Sequence, residues 1–278
     1  MISDLVFWIV ISIILLTLFG TPLVLLYQII TAFLRYFLGD WWNRNLPFMP
    51  VDPLIEEFLR SHFLYYQQLS ERNKITFVKR VQKFISLKVF EGREGLYLTP
   101  QMETLVAAAA IQLTFGHPSV YFKHFWKIIL YPDRYYSNYT ERHHHGEVNS
   151  KGVIVLSYKN LHDGFVNHND GRNLGLHEMA HALKIADYTP GQEYNFLDRT
   201  TFLEFTKHAR QIMARINDGD ETFLRAYAAT NDHEFFAVAV ENFFERPAEL
   251  KAHHPGLYRS LVALLHQDPT ELLAQRSS

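Results

Sequence analysis

His177-Glu178-Met179-Ala180-His181 spells H-E-x-x-H inside a stretch whose neighbours are mostly apolar. Asn173-Leu174-Gly175-Leu176 precede it, and Ala182, Leu183, Ile185 and Ala186 follow, so the segment reads as a buried helix. Histidines four apart share one helix face, with β-carbons about 5–6 Å apart. Both imidazoles can therefore reach one ion at about 2.0–2.1 Å, the zinc–nitrogen bond length. Glu178 then stands beside that ion, placed to take a proton from an activated water. The pattern implies zinc-dependent peptide hydrolysis.

The chain holds fifteen histidines, which raises the odds of a chance match, so the context must decide. His177, Glu178 and His181 form the only polar cluster of this helix before Lys184. Buried, such a cluster is costly unless its polar groups are satisfied, by a metal or by neighbouring hydrogen bonds. A catalytic zinc needs a third protein ligand and an open fourth position. The best source lies in Ala226 to Val238, where Asn231 or Asp232 opens a helix running to about Glu245. Glu234 falls in its first turn and has two readings. It can ligate a metal, or, at capping-box spacing from Asn231, satisfy a backbone N–H. Glu204, Glu241, Glu245 and His233 are rival ligands, each more simply read as a solvated side chain.

Three segments carry a family resemblance: Gly152-Val153-Ile154-Val155-Leu156-Ser157, Asn173-Leu174 running into the motif, and Ala226-Tyr227-Ala228-Ala229 followed by Glu234-Phe235-Phe236-Ala237-Val238. With Ile129-Leu130-Tyr131-Pro132 and Leu257-Tyr258 to Gln267-Asp268-Pro269, they resemble the MtfA family over roughly residues 55–270. These are zinc peptidases named for titrating the bacterial glucose repressor Mlc. A weaker similarity links the same paired segments to the catalytic domain of anthrax lethal factor. The resemblance implies one Zn2+ held by His177, His181 and Glu234, with Glu178 as general base. It also implies that Tyr227 hydrogen-bonds the developing oxyanion. One position departs from the pattern: three residues after the second motif histidine, an acidic residue is common, but here stands Lys184. Asp187 has two readings, a carboxylate supporting a zinc-bound histidine or a residue of the helix's last turn.

Net charge is −2, which gives no reason to expect nucleic acid as a partner. No cysteine occurs, which excludes disulfides and thiol chemistry and leaves nitrogen and oxygen to hold a metal. From Leu5 to Leu34 no residue is charged, longer than the roughly 20 apolar residues a bilayer-spanning helix needs. Trp8, Tyr27, Trp41 and Trp42 suit interfacial belts. No basic residue precedes the run, so it reads as an anchor in the lipid bilayer rather than a cleaved signal. Arg35 and Arg44 follow it, which by the positive-inside rule puts the catalytic domain in the cytoplasm, on a single-pass inner-membrane protein.

Residues 1–38 are thus expected to form the transmembrane anchor, 39–50 a linker, and 51–272 the peptidase domain. Asp52-Pro53, Ser70 and Thr99-Pro100 each mark a helix start. Thr200 to Ile216 and Pro255 to Leu265 read as further helices, and Lys127–Tyr131 and Gly152–Tyr158 as short strands. The second strand is the candidate sheet edge for pairing with an extended substrate. His143-His144-His145 lies between them and reads as an exposed loop flanked by Gly146 and Asn149. The expected fold is α+β and mostly helical, a zincin-like (gluzincin) domain with a small β-sheet behind an N-terminal transmembrane helix. Its partners would be a peptide or protein substrate. The alternative function is a regulatory protein that sequesters a partner such as a transcriptional repressor, with incidental peptidase activity.

Overall fold

Most of the longer helices begin where the chain offers a capping side chain. The computed structural model describes Trp8 and residues 50–137, 141–190, 193, 196–220 and 223–274. Apart from Trp8, the expected transmembrane anchor lies outside the described residues, as does all but the last residue of its linker. Among the described residues no helix is long and apolar enough to cross a membrane.

Asp52 accepts from the N–H groups of Leu54 and Ile55 to open α1 (Pro53–His62), and a short α2 (Leu64–Gln68) follows. Ser70 caps α3 (Glu71–Ser86). After β1 (Val89–Gly92), Thr99 caps α4 (Pro100–Thr114), a largely buried helix whose four consecutive alanines Ala107 to Ala110 let its neighbours approach closely. Four strands follow: β2 (Lys127–Tyr131), β3 (Tyr135–Ser137), β4 (Arg142–His144) and β5 (Gly146–Asn149). Next come β6 (Val153–Ser157), α5 (Tyr158–Val166) and the motif helix α6 (Leu174–Tyr188). The chain then runs through α7 (Arg199–Asn217), a 3-10 turn (Ala226–Thr230) and α8 (Asp232–Glu245). The helices α9 (Pro247–His253), α10 (Pro255–Leu265) and α11 (Pro269–Ala274) close it.

The result is a mostly helical α+β fold with a four-stranded sheet ordered β1-β2-β6-β5, and β3 and β4 paired apart from it. The first three strands are parallel and β5 runs antiparallel to β6, with Gly146 opposite Leu156 and Val148 opposite Ile154. This corrects the sequence-based choice of edge. Gly152–Tyr158 supplies an interior strand flanked on both sides, because its β-branched alternation suits burial. The edge is β5, whose mixed Gly-Glu-Val-Asn composition gave no strand signal. His143 and His144 likewise belong to β4, paired with Tyr136 and Tyr135, rather than to an open loop.

Two interactions fix the motif helix in depth. A β-carbon on Gly175 would come within 3.2 Å of the Ala109 β-carbon and nearer still to Leu161 and Phe165, so only glycine permits this approach to α4 and α5. Buried Arg80 donates to the carbonyls of Thr114, Phe115, His117 and Val120, capping the C-terminus of α4. A cation there meets both the orphan carbonyls and the negative end of the helix dipole.

Candidate metal centre

Asn173 starts α6 by accepting from the Leu176 N–H at 3.0 Å, and Leu176, Met179, Ala180, Ala182 and Leu183 bury the helix. The imidazoles of His177 and His181 consequently project together, ring centroids 4.7 Å apart and nearly perpendicular. Their Nε2 atoms are 3.1 Å apart. Asn231 starts α8, its side chain accepting from the N–H groups of His233 and Glu234. That frees the Glu234 carboxylate to leave its own helix end. Its Oε2 lies 3.1 Å from His177 Nε2 and 3.6 Å from His181 Nε2. Of the two readings open for Glu234, its placement is the one beside the imidazoles.

These three separations can be compared with a known geometry. Tetrahedral ligands at about 2.0–2.1 Å from zinc stand about 3.3–3.4 Å from one another. Glu234 Oε2 is also a buried oxygen with no aligned hydrogen-bond donor. A shared cation would satisfy it, so the residues present fit a divalent metal. Burial alone would lower the His177 imidazolium pKa, but contacts with Glu234 and Glu241 outweigh it and raise it to about 10. Burial would likewise raise Glu234, yet the two histidines hold it well below the usual carboxylate range.

Glu178 is not one of the three converging residues. It is 6 % exposed, and burial pushes its pKa up. The first residue of β5 packs directly on it: a β-carbon at Gly146 would fall 2.5 Å from its Cγ and Oε1. Tyr227 sits in the 3-10 turn, half exposed, its ring 6.2 Å from that of His177. Burial, then the Glu234 charge, pushes its hydroxyl pKa to about 12, so at neutral pH it remains a proton donor.

A cleft of about 650 Å³ opens over these residues. It is lined by His143 to Gly146, by Arg172, Arg225 and Tyr227, and by Asn160 and Asp163 of α5 with Asn167 at that helix's C-terminal cap. Most of the lining residues are polar or charged, Leu174 being the one aliphatic side chain among the described residues, although carbon atoms supply much of the exposed surface. The triple histidine thus borders the candidate site.

The rivals separate cleanly. Glu204 and His233 are exposed. Asp187 accepts from the Leu197 N–H at 2.9 Å and so ties down the chain after α6. Lys184 lies over the rings of Phe202 and Phe236, with Nζ 3.5 Å from the Asp232 carbonyl. Glu241, named from the sequence as a rival ligand and read there as solvated, is placed differently by the structure. It is buried, not solvated, with Oε1 3.2 Å from His177 Nδ1 and Oε2 2.7 Å from Arg225. The signal was present, because Glu241 stands seven residues after Glu234, two turns along the same helix face.

Glu245, one turn further, accepts from Asn173 Nδ2 and the Arg172 N–H. Burial raises its pKa to about 7. A raised carboxylate binds its proton more tightly folded than unfolded. Its effect on stability is therefore best at low pH and worsens as pH climbs from about 4.5 to 7. Glu245→Gln should remove that slope. Its melting temperature relative to wild type should rise between about pH 5 and pH 8. A constant difference across that range would show that Glu245 does not titrate there.

Comparison with known proteins supplies the family. The model of the glucose-regulated metallo-peptidase M90 family matches residues 39–266. An uncharacterised protein of Synechocystis is 26 % identical over 261 residues, covering 86 % of this chain and 95 % of its own. Mlc titration factor A of Yersinia enterocolitica is 27 % identical over 252 residues, covering 82 % and 90 %. The Yersinia pestis protein of that name is 26 % identical over 247 residues, covering 82 % and 89 %. With the match spanning most of the sequence, the chain belongs to the glucose-regulated metallo-peptidase M90 family.

Proposed function

We propose that this chain is a zinc-dependent peptidase of gluzincin type, anchored by its N-terminal apolar segment with the catalytic domain in the cytoplasm. The observation that carries the reading is the convergence of His177, His181 and Glu234 from two helices, beside a buried carboxylate that is not among the three. A bound zinc supplies a Lewis acid that polarises the peptide carbonyl and acidifies water. Glu178 takes the proton from the attacking water and hands it to the leaving amine. Tyr227 donates a hydrogen bond from its hydroxyl to the developing oxyanion.

The register of β5 supports an extended substrate. Ser157 donates to the His145 carbonyl, which sets His145, Glu147 and Asn149 facing β6. Gly146 and Val148 therefore turn their N–H and C=O groups outward, where no strand pairs with them among the described residues. A peptide laid along this edge gains main-chain hydrogen bonds beside Glu178.

The apolar run from Leu5 to Leu34 supports the anchor, and Arg35 and Arg44 its orientation. Elemental analysis tests the ligand set. Wild type should carry about one zinc per chain, and Glu234→Ala much less. Undiminished zinc in the variant would remove Glu234 from the centre. A second reading follows from the relatives named Mlc titration factor A: a surface that captures a regulatory protein. Capture that survives loss of Glu178 would favour it over turnover.

A further inference from the structure

Arg225 lies outside the metal centre, yet its guanidinium gathers three segments that build it. One nitrogen, NH2, pairs with Glu241 Oε2 at 2.7 Å. The other, NH1, donates to the Gly171 carbonyl at 2.6 Å. Its Cζ stands 5.8 Å from the ring centroid of Tyr227, two residues along the chain. Gly171 precedes the cap of α6, Glu241 belongs to α8, and Tyr227 rides on the 3-10 turn. A single planar fork touches the approach to one ligand helix, the body of the other, and the oxyanion tyrosine.

We propose that Arg225 is a positioning residue that acts on the metal centre through Glu241. This inference rests on the metallopeptidase reading above. Glu241 has 3 % of its side chain exposed, and a buried carboxylate is costly without a counter-charge. Arg225, itself 26 % exposed, supplies that charge on one oxygen. The other oxygen is then free to face His177 Nδ1 at 3.2 Å and to accept from the Asn173 N–H at 3.3 Å. A carboxylate behind a ligating imidazole fixes ring orientation and tautomer, directing the opposite nitrogen at the ion. Without Arg225, Glu241 would lose its counter-charge and turn toward water, and His177 would lose its support.

The Gly171 contact is equally specific. Gly171 adopts φ +69°, and a β-carbon there would lie 2.6 Å from Asn242 Oδ1, so the bend that offers this carbonyl accepts only glycine. Lysine at position 225 could meet Glu241 or the Gly171 carbonyl but lacks the fork to hold both in this geometry.

The test is a zinc-affinity cycle by chelator competition on wild type, Arg225→Met, Glu241→Gln, the double variant and Arg225→Lys. Circular dichroism would check that each is folded. Outer partners of metal ligands are typically worth about 10–100-fold in affinity. Arg225→Met and Glu241→Gln should each weaken zinc by that order. The double variant should be no weaker than the poorer single, because both remove one support, and Arg225→Lys should fall between. Losses that multiply in the double variant, or an Arg225→Met affinity within about twofold of wild type, would overturn the proposal. If Arg225→Met does not fold, an Arg225→Lys affinity equal to wild type overturns it. A wild-type chain that binds no zinc sinks the metallopeptidase reading as well, whereas normal wild-type binding with insensitive variants sinks only the role of Arg225.

Discussion

Glu178→Gln should bind metal as tightly as wild type and cleave peptides about 10²–10⁴-fold more slowly. The substitution keeps the side chain's size, which the packing of Gly146 against it demands. It removes a carboxylate that is buried in the cleft and held at a raised proton affinity. A general base must accept a proton in the transition state and release it to the leaving amine, and an amide does neither. Because Glu178 contributes none of the three converging ligand atoms, zinc content should stay at the wild-type level. The measurements are turnover of a peptide library and elemental analysis on the same preparation. Turnover preserved in the variant would remove Glu178 from the chemistry, and zinc lost with it would recast the residue as a ligand.

Gly146→Ala should be nearly as damaging for a different reason. Gly146 has no positive φ, so its backbone accepts alanine without strain. The added methyl, however, would lie 2.5 Å from Glu178 Cγ and Oε1 and 2.6 Å from Cδ. The helix cannot retreat, being packed against α4 at Gly175, and β5 is held in register by β6. The carboxylate must therefore swing aside. Displacing a catalytic group by about 1 Å can cost about 10²-fold in rate. We expect kcat to fall by that order while zinc content is unchanged. A variant within about threefold of wild type would show that the carboxylate relaxes in place.

The two helices that carry the centre were legible because local signals agree along them. Asn173 and Asn231 cap α6 and α8, and apolar runs follow each, so propensity and burial point the same way. The strands β2 and β6 announced themselves by their β-branched residues. What stayed hidden was decided by distant partners. Glu241 looks solvated until Arg225, sixteen positions earlier, and His177 are seen against it. Gly146-Glu147-Val148-Asn149 reads as a turn, and only pairing with β6 makes it a strand. The role of Gly146 has no sequence signal at all, because it consists of space left for another residue. Family resemblance rather than spacing singled out Tyr227, one tyrosine among fifteen.

The brevity of β5 has a consequence for how the protein keeps to itself. A strip of unsatisfied amides is adhesive toward any chain, including a second copy of this one. Here the strip offers only Gly146 and Val148 before the chain turns back at Asn149. So short a seam gives self-templated stacking almost no purchase, since fibrils recruit segments of about six or seven residues. A visiting peptide can be held by the metal as well and so is not limited to those few bonds. The surface can thus welcome a transient guest while resisting permanent cross-linking of its own kind.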